Sequence, residues 1–396
     1  AALVPEDAPE DIRDRLAAAR ADLAFVKELD DIRVSRVGGS EWRMPADVAA
    51  SYAAAFRGHG IDPLGSEPAA VADRVAASPI KRQLIAALDD WAHLAPGPPR
   101  ERLYAVTRRA DPGPWSDRLR DAKLEALCNQ DPSVLNRLAA DADPAAISPH
   151  LLVQMFQLQP KSFAAGSPLL SAAAVRYPDD FWVQFEAGYY YIFKDPHPAL
   201  AVAHLRAALA IRPDLPRVLL LLGFALIGDK DTDGAIACFR EAIRLDPKLL
   251  EARALLASAL VGKADRDGAI ACCREGVRLD PTSAQAQTLL GQTLAETGDP
   301  EGAVAVYREA IRLDPKNAQG WLSLARALAA TGDTEGAVAA GVEGQMLLGA
   351  ALTAKLDRQG AVAAYREAIR LDPTNAEARI GLGRVLGWKG DRDGML

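Results

Sequence analysis

The stretch REAIRLDP at residues 240–247 recurs as REGVRLDP at 274–281 and as REAIRLDP at 308–315 and 366–373. Its last residue, Pro247, is followed at intervals of 34 residues by Pro281 and Pro315, and Pro213 precedes it by the same interval. A fixed 34-residue period is typical of two-helix repeats that stack into a solenoid. Such a fold presents an extended binding surface rather than a ready-made catalytic pocket. The stretch therefore predicts an all-α fold, a right-handed α-solenoid of helix hairpins.

Composition and charge agree with this class and exclude others. The chain has 396 residues, of which 49% are hydrophobic, so folded cores are expected. The net charge of -7 is spread over interleaved acids and bases, which predicts no nucleic-acid partner. The longest apolar run, VLLLLGFALIG at 218–228, is too short to span a membrane. We therefore predict no membrane insertion and a cytoplasmic location.

No metal or cofactor site is predicted. The four cysteines, Cys128, Cys238, Cys272 and Cys273, lack metal-ligand spacing, and we interpret them as reduced, buried thiols. The five histidines are scattered, and none pairs with another at a spacing that would place two ligands on one helical face.

The repeats divide the chain into three regions. Residues 1–146 lack the period and form an irregular all-helical region, and 147–180 form a degenerate helix pair. The array at 181–396 is then divided into repeats at 181–215, 216–249, 250–283, 284–317, a clipped 318–341, 342–375 and a half repeat at 376–396. The sequence starts at Ala1 with no initiator Met or signal-like segment and stops within a repeat, which predicts a piece of a longer protein.

Each repeat alternates small and large residues at fixed positions. Frame positions 8 and 20 are small and position 24 is large, as in Gly223, Ala235 and Phe239. Small residues let paired helices approach, while the large residue fills the space beside them. This pattern resembles the tetratricopeptide repeat (TPR), and the resemblance covers roughly 181–396. It implies a module that binds a protein or peptide partner.

The start of each second helix is also fixed. In the six repeats from residue 216 onward, frame position 16 is Asp and position 19 is Gly; the Asp residues are Asp231, Asp265, Asp299, Asp333, Asp357 and Asp391. An Asp there can accept N–H bonds from the first helical turn. Glycine inside a helix is unfavourable, so six copies indicate either recent duplication or a close backbone contact, and we favour duplication.

The period breaks once. From Pro315 to Pro373 is 58 residues, where two periods would give 68. Either residues 334–355 form one continuous helix, or Gly341 and Gly344 make a turn after a shortened helix. We favour the turn.

The region before the array is predicted to be helical. A long amphipathic helix is expected over 8–36, where ordinary packing is favoured over a coiled coil. Further helices are predicted at 46–57, 67–77, 79–95, 100–110, 115–129 and 132–141, with a soft boundary near 145. The aromatic segment FWVQFEAGYYYIF at 181–193 is interpreted as core filling rather than a stacking site.

Four phrases resemble the segment that follows the kinase domain in large bacterial, eukaryotic-like serine/threonine kinases with TPR arrays. They are YAAAFRGHGID at 52–62, IKRQLIAALDDWA at 80–92, RRADPGPWSDRLRDA at 108–122 and RYPDDFWVQFEAG at 176–188. The resemblance implies a regulatory or substrate-docking region. The kinase motifs themselves are missing from this sequence, so we predict that the chain is not an enzyme. The alternatives are a self-associating assembly scaffold and an enzyme with an unrecognised site in 1–146.

Partner binding is predicted in the groove of the repeats. In the TPR family it is lined by frame positions 2, 5, 6, 9 and 12 of the first helices. The candidates carried over by position are Leu220, Leu221, Phe224, Glu251, Ala254, Leu255, Ser258, Gln285, Thr288, Leu289, Gln292, Gln319, Leu322, Ser323 and Arg326. Chaperone-binding relatives clamp a terminal carboxylate with Lys and Asn that are missing here. The groove instead suits an amphipathic helix or an extended apolar peptide. The alternative is that its leucines are shielded by neighbouring repeats or by the N-terminal region.

Overall fold

A computed structural model describes residues 9–35, 45–129, 134, 137–138, 142, 147–157 and 166–387. Over these residues it contains twenty α-helices with defined ends and no strand, which confirms the all-α prediction. By their internal contacts the residues fall into two compact bodies, Ala1–Asp246 and Pro247–Leu396. This division lies inside the repeat array, and the boundaries predicted near 146 and 180 stay predictions.

The N-terminal helices of the first body follow the predicted ranges closely. They are Glu10–Val34, Pro45–Gly58, Pro68–Ala77, Lys81–Leu94, Pro98–Ala110 and Pro114–Asn129. Most of the helix predicted at 132–141 and the boundary near 145 lie outside the described residues. Aromatic rings hold these helices together, because Trp91 stacks 6.3 Å from Tyr52 and 5.9 Å from Phe56 between ring centroids.

The rest of the first body consists of the helices Pro149–Gln157, Gly166–Arg176, Phe181–Phe193, Pro198–Ile211, Pro216–Gly228 and Thr232–Leu245. Most aromatic residues of Phe181–Phe193 are buried, which confirms the core-filling interpretation for them. Tyr189 and Phe193 are exceptions, because both are exposed.

The second body contains the helices Leu250–Gly262, Arg266–Leu279, Ala284–Glu296, Pro300–Leu313, Ala318–Thr331, Thr334–Ala354, Arg358–Leu371 and Ala376–Gly387. Up to Thr331 the helix boundaries follow the 34-residue frame, with one short first helix and one second helix per repeat. The prediction of two-helix repeats is therefore confirmed here.

Close approach between paired helices depends on glycine. A Cβ built on Gly223 would lie 2.5 Å from Cε1 of Phe239, and one on Gly291 would lie 2.7 Å from Cε1 of Tyr307. Such contacts are shorter than carbon atoms tolerate, so a side chain at either position would push the helices apart. The small residue at frame position 8 and the large residue at position 24 are thus in direct contact.

The predicted caps are present at five second helices. In each, Oδ1 of the Asp accepts a hydrogen bond of 2.8–3.0 Å from the N–H of the glycine three residues later. A Cβ on that glycine would lie only 2.2–2.6 Å from the other carboxylate oxygen. This contact with the Asp side chain is a local reason for the glycine, and the duplication that we favour stays a prediction. Asp391 and Gly394 lie outside the described residues.

The break in the period is a fused helix. Thr334–Ala354 runs for 21 residues without interruption, so the turn that we favoured at Gly341 and Gly344 is wrong. These glycines do not end the helix because they allow close packing: a Cβ on Gly344 would lie 2.8 Å from Cδ2 of Leu322, and one on Gly341 would lie 3.2 Å from Cδ1 of Leu371. The same helix therefore packs against both Ala318–Thr331 and Arg358–Leu371.

This fused helix is also long and apolar enough to cross a membrane, the one such helix among the described residues. Length and composition alone support that possibility, and the glycine contacts give the helix a packing role within the repeats.

The cysteines are only partly as predicted. Cys273 is buried, whereas Cys238 and Cys272 are half-buried, so the prediction of buried thiols is wrong for these two. Burial raises the pKa of Cys273 to about 11, opposed by a hydrogen bond with Thr293. The side chain of Cys128 lies outside the described set.

Candidate functional site

The predicted groove residues of the first body differ in accessibility. Leu220 and Leu221 are buried, with Leu221 only 2% exposed, whereas Phe224 is 43% exposed. All three lie on Pro216–Gly228, a helix whose apolar residues face several directions. The two leucines therefore belong to the core, and only Phe224 can touch a partner on the folded surface.

Two exposed aromatic residues extend the surface of Phe224. The ring of Phe193 stacks on Phe224 with centroids 5.9 Å apart, and the centroid of the Tyr189 ring lies 4.7 Å from that of Phe193. Phe193 is 50% exposed and Tyr189 is 37% exposed. We call Tyr189, Phe193 and Phe224 the aromatic track.

The residues of the aromatic track on Phe181–Phe193 were missed by sequence reasoning. A signal was present, since aligning Gly188 with Gly223 places Tyr189 at the same frame position as Phe224. That position is one of those expected to line the groove. The segment was instead judged as a whole, as core.

In the second body the predicted groove residues present a different surface. The exposed ones are Glu251, Ser258, Gln285, Gln319 and Arg326. The half-buried ones are Ala254, Leu255, Leu289, Gln292 and Leu322, and the buried ones are Thr288 and Ser323. The accessible part is therefore mainly polar, with leucines beneath it.

Charged residues are buried in the N-terminal helices, where sequence reasoning found no site. Asp89 and Arg120 are almost fully buried and form two hydrogen bonds, Nε to Oδ1 at 3.0 Å and Nη2 to Oδ2 at 2.9 Å. Nε2 of His150 lies 3.5 Å from Oδ2 of Asp89. Burial alone would raise the pKa of Asp89, but His150 and Arg120 outweigh it and lower that pKa well below its ordinary value.

This ionic pair is suited to structure rather than catalysis. Neither Asp89 nor Arg120 is accessible to a substrate, and each already satisfies the other's charge. Over the described residues, no group of three or more His, Cys, Asp or Glu side chains is placed to hold a metal ion.

Comparisons with known proteins agree with the helix-pair geometry. Tetratricopeptide repeat family models match residues 216–249, 254–318 and 290–342. A search of curated proteins found no match.

Solved structures with a similar fold are distant in sequence. The C-terminal part of a TPR repeat-containing protein of Cytophaga hutchinsonii is 18% identical with a TM-score of 0.41, over 59% of this chain and 99% of that one. MamA of Desulfovibrio magneticus RS-1 is 19% identical with a TM-score of 0.35, over 42% and 94%. YrrB, described as a TPR protein with an unusual peptide-binding site, is 16% identical with a TM-score of 0.33, over 53% and 95%.

The family matches coincide with the helix pairs whose caps and glycine contacts are described above. Over residues 216–249 and 254–342, the helix pairs of this chain therefore match the tetratricopeptide repeat.

Proposed function

We propose that this chain is a noncatalytic protein-interaction module that binds a peptide or helix of a partner on the first helices of its repeats. TPR repeats support the class of function. The observation that carries the proposal is the aromatic track, three neighbouring rings that remain exposed on the folded first body. Exposed aromatic clusters are uncommon on surfaces without a partner.

The aromatic track favours a partner with apolar anchor residues. Large, rigid rings give contact area at a low cost in conformational entropy and are enriched at binding hot spots. Ile227, on the same helix as Phe224, is also exposed and adds an aliphatic edge. A short amphipathic helix or extended peptide could place two or three apolar side chains on this surface.

The test must avoid the core. Leu221→Asp would place a charge at a buried position, so it would test folding instead of binding. Phe193→Ser combined with Phe224→Ser removes two exposed rings. Val175→Ser is a matched control, because Val175 is exposed in the same body and no ring contact involves it.

Peptides would be selected from a random display library on the wild-type chain and their dissociation constants measured by fluorescence anisotropy. We expect apolar peptides whose affinity falls at least tenfold in the double variant, a rough value from hot-spot energies, and is kept in the control. Unchanged affinity in the folded double variant would refute the aromatic track as the binding surface. Light scattering on the same samples separates peptide binding from self-association, in which the double variant would instead become smaller.

We propose further that the module is a regulatory or substrate-docking part of a bacterial signalling kinase acting in the cytoplasm. The four phrases quoted above support this role by resemblance. The coding sequence upstream of Ala1 tests it directly: a serine/threonine kinase domain is expected there, and a start codon next to Ala1 would overturn it.

A further inference from the structure

The first body contains a cavity of about 880 Å³ that the proposed peptide binding does not use. It is bordered by the end of Glu10–Val34 and by the starts of three other helices, Lys81–Leu94, Pro149–Gln157 and Phe181–Phe193. Its volume lies in the range of small-molecule sites in proteins.

Arg33 lines this cavity in an unusual state. It is only 8% exposed, and its guanidinium carbon lies 4.1 Å from the centroid of the Trp182 ring. Its Nε and Nη2 atoms are buried and have no hydrogen-bond partner among the described residues. Buried donors without hydrogen bonds are costly, so these two indicate an acceptor that the described residues do not provide.

The geometry of Arg33 specifies the kind of acceptor. Stacking on Trp182 covers one face of the guanidinium and leaves the in-plane donors as its remaining binding groups. Nε and Nη2 lie on one edge of that plane. This edge binds a carboxylate or phosphate through two parallel N–H···O bonds.

The carboxylates around the cavity are already engaged. Asp30 accepts a hydrogen bond of 3.2 Å from Nε1 of Trp182. Asp180 caps the helix that follows it, and Oδ2 of Asp111 lies 3.9 Å from Nη2 of Arg120. None of the three pairs with Arg33.

The positively charged side chains around the cavity have fewer partners than the carboxylates. Within the described part of the chain, Lys81 and Arg82 form no ion pair, and no side chain caps the helix that they begin. The positive end of that helix dipole therefore adds to their charge. Oγ of Ser148, at the start of another bordering helix, is buried and forms no hydrogen bond with the described residues.

We propose that this cavity binds a small molecule that carries a carboxylate or phosphate group and an apolar part of about the size of an aromatic ring. Arg33, which lines the cavity, holds the oxyanion through its guanidinium, whose buried Nε and Nη2 turn towards the cavity when the ligand enters, and Lys81 and Arg82 attract it. The apolar part packs against Leu29 and Trp182 at the cavity wall.

Isothermal titration calorimetry on the full chain tests the proposal with phenyl phosphate, benzoate and uncharged benzyl alcohol. We expect phenyl phosphate or benzoate to bind, the stronger one identifying the source of the oxyanion, and benzyl alcohol not to bind. Arg33→Met should weaken binding by about tenfold to a hundredfold, the effect of losing charged hydrogen bonds. Arg13→Met, at an exposed position of the same helix away from the cavity, should leave it unchanged.

A stability measurement separates a binding role from a structural one. Without ligand, Arg33→Met should unfold at a temperature no lower than the wild type, because it removes a buried charge that lacks hydrogen bonds. A clear drop in that temperature would mean that Arg33 holds the fold, and would contradict the proposal.

Lys81→Met with Arg82→Met gives a second test that does not depend on the buried site. We expect phenyl phosphate or benzoate to bind several-fold more weakly to this double variant, with a smaller dependence on salt. Failure of both anions to bind the wild type at millimolar concentration, or equal affinity in this variant, would overturn the proposal.

Discussion

The N-terminal helices and the repeats place their ion pairs in opposite environments. The side chains of Asp89 and Arg120 are almost fully buried between the N-terminal helices, whereas those of Glu309 and Arg312 are exposed to solvent on a repeat. Both pairs have two hydrogen bonds with good distances. Because desolvation decides what such a pair contributes, similar geometry is expected to have very different consequences.

The two regions therefore achieve a unique packing by different means. The repeats use Gly–aromatic contacts such as Gly291 on Tyr307 and Asp caps at five of their second helices. The N-terminal helices, which have no repeating pattern, use buried polar contacts, including Tyr52 Oη donating to Oδ2 of Asp90 at 2.7 Å. Substituting one residue in each kind of contact ranks the contacts by how much each contributes to stability.

Asp89→Ala should have the largest effect. It leaves the guanidinium of Arg120 buried and without its main partner, which costs about 3–5 kcal/mol. Hydrogen exchange with mass spectrometry should show this as faster opening of Lys81–Leu94 and Pro114–Asn129. The repeat helices of the second body serve as the internal control, and equal exchange in all helices would contradict the ranking.

Acid should reproduce this difference in the unmodified protein. The pKa of Asp89 is lowered in the folded state, so its contribution to stability is complete above about pH 4, the unfolded value, and is lost as the pH falls towards the folded value. Exchange in Lys81–Leu94 should therefore rise below pH 4 after correction for the intrinsic rate. Asp89→Asn should remove most of this dependence.

Gly291→Ala should be the next largest. The new Cβ would lie 2.7 Å from Cε1 of Tyr307, and overpacking of this kind costs about 1–3 kcal/mol. Gly383→Ala is the matched control, because it lies within a helix of the same body with no atom within 4 Å of a new Cβ. Helix propensity alone should stabilise that control by about 0.5–1 kcal/mol. Chemical unfolding followed by circular dichroism measures the change in the free energy of unfolding for both variants. A Gly291→Ala variant that is more stable than the wild type would contradict the packing role.

Asp299→Ala should cost less. It removes the carboxylate that accepts from the N–H of Gly302 at 2.8 Å, a loss of about 1 kcal/mol for a helix cap. The faster exchange should be concentrated in the first turn of Pro300–Leu313. Glu301→Ala, in the same turn and without a cap bond, should leave that turn protected.

Features that depend on nearby residues were predictable from the sequence. The period, the helix pairs and the Asp caps follow from spacing within about 34 residues. The burial of Leu220 and Leu221 could be given only as an alternative, because a family groove position does not state which neighbour covers it.

The reason for a single departure from the repeated stretch also became clear only in the structure. REGVRLDP has Gly276 where the other copies have alanine, and a Cβ there would lie 3.1 Å from Cδ of the buried Arg253. Nη2 of Arg253 donates to the carbonyl of Pro247 at 3.0 Å. Arg33 and Trp182 are 149 positions apart (182 − 33), so no local pattern could reveal their cavity.

Glu309→Ala should have the smallest effect of the series. The hydrogen bond from Arg312 lowers the pKa of Glu309, yet both side chains extend into solvent, where ion pairs contribute little. The same pair recurs at Glu241–Arg244, Glu275–Arg278 and Glu367–Arg370. The unfolding midpoint should stay within measurement error at low and high salt. A loss as large as that of Asp299→Ala would mean that the repeats, like the N-terminal helices, depend on their ion pairs.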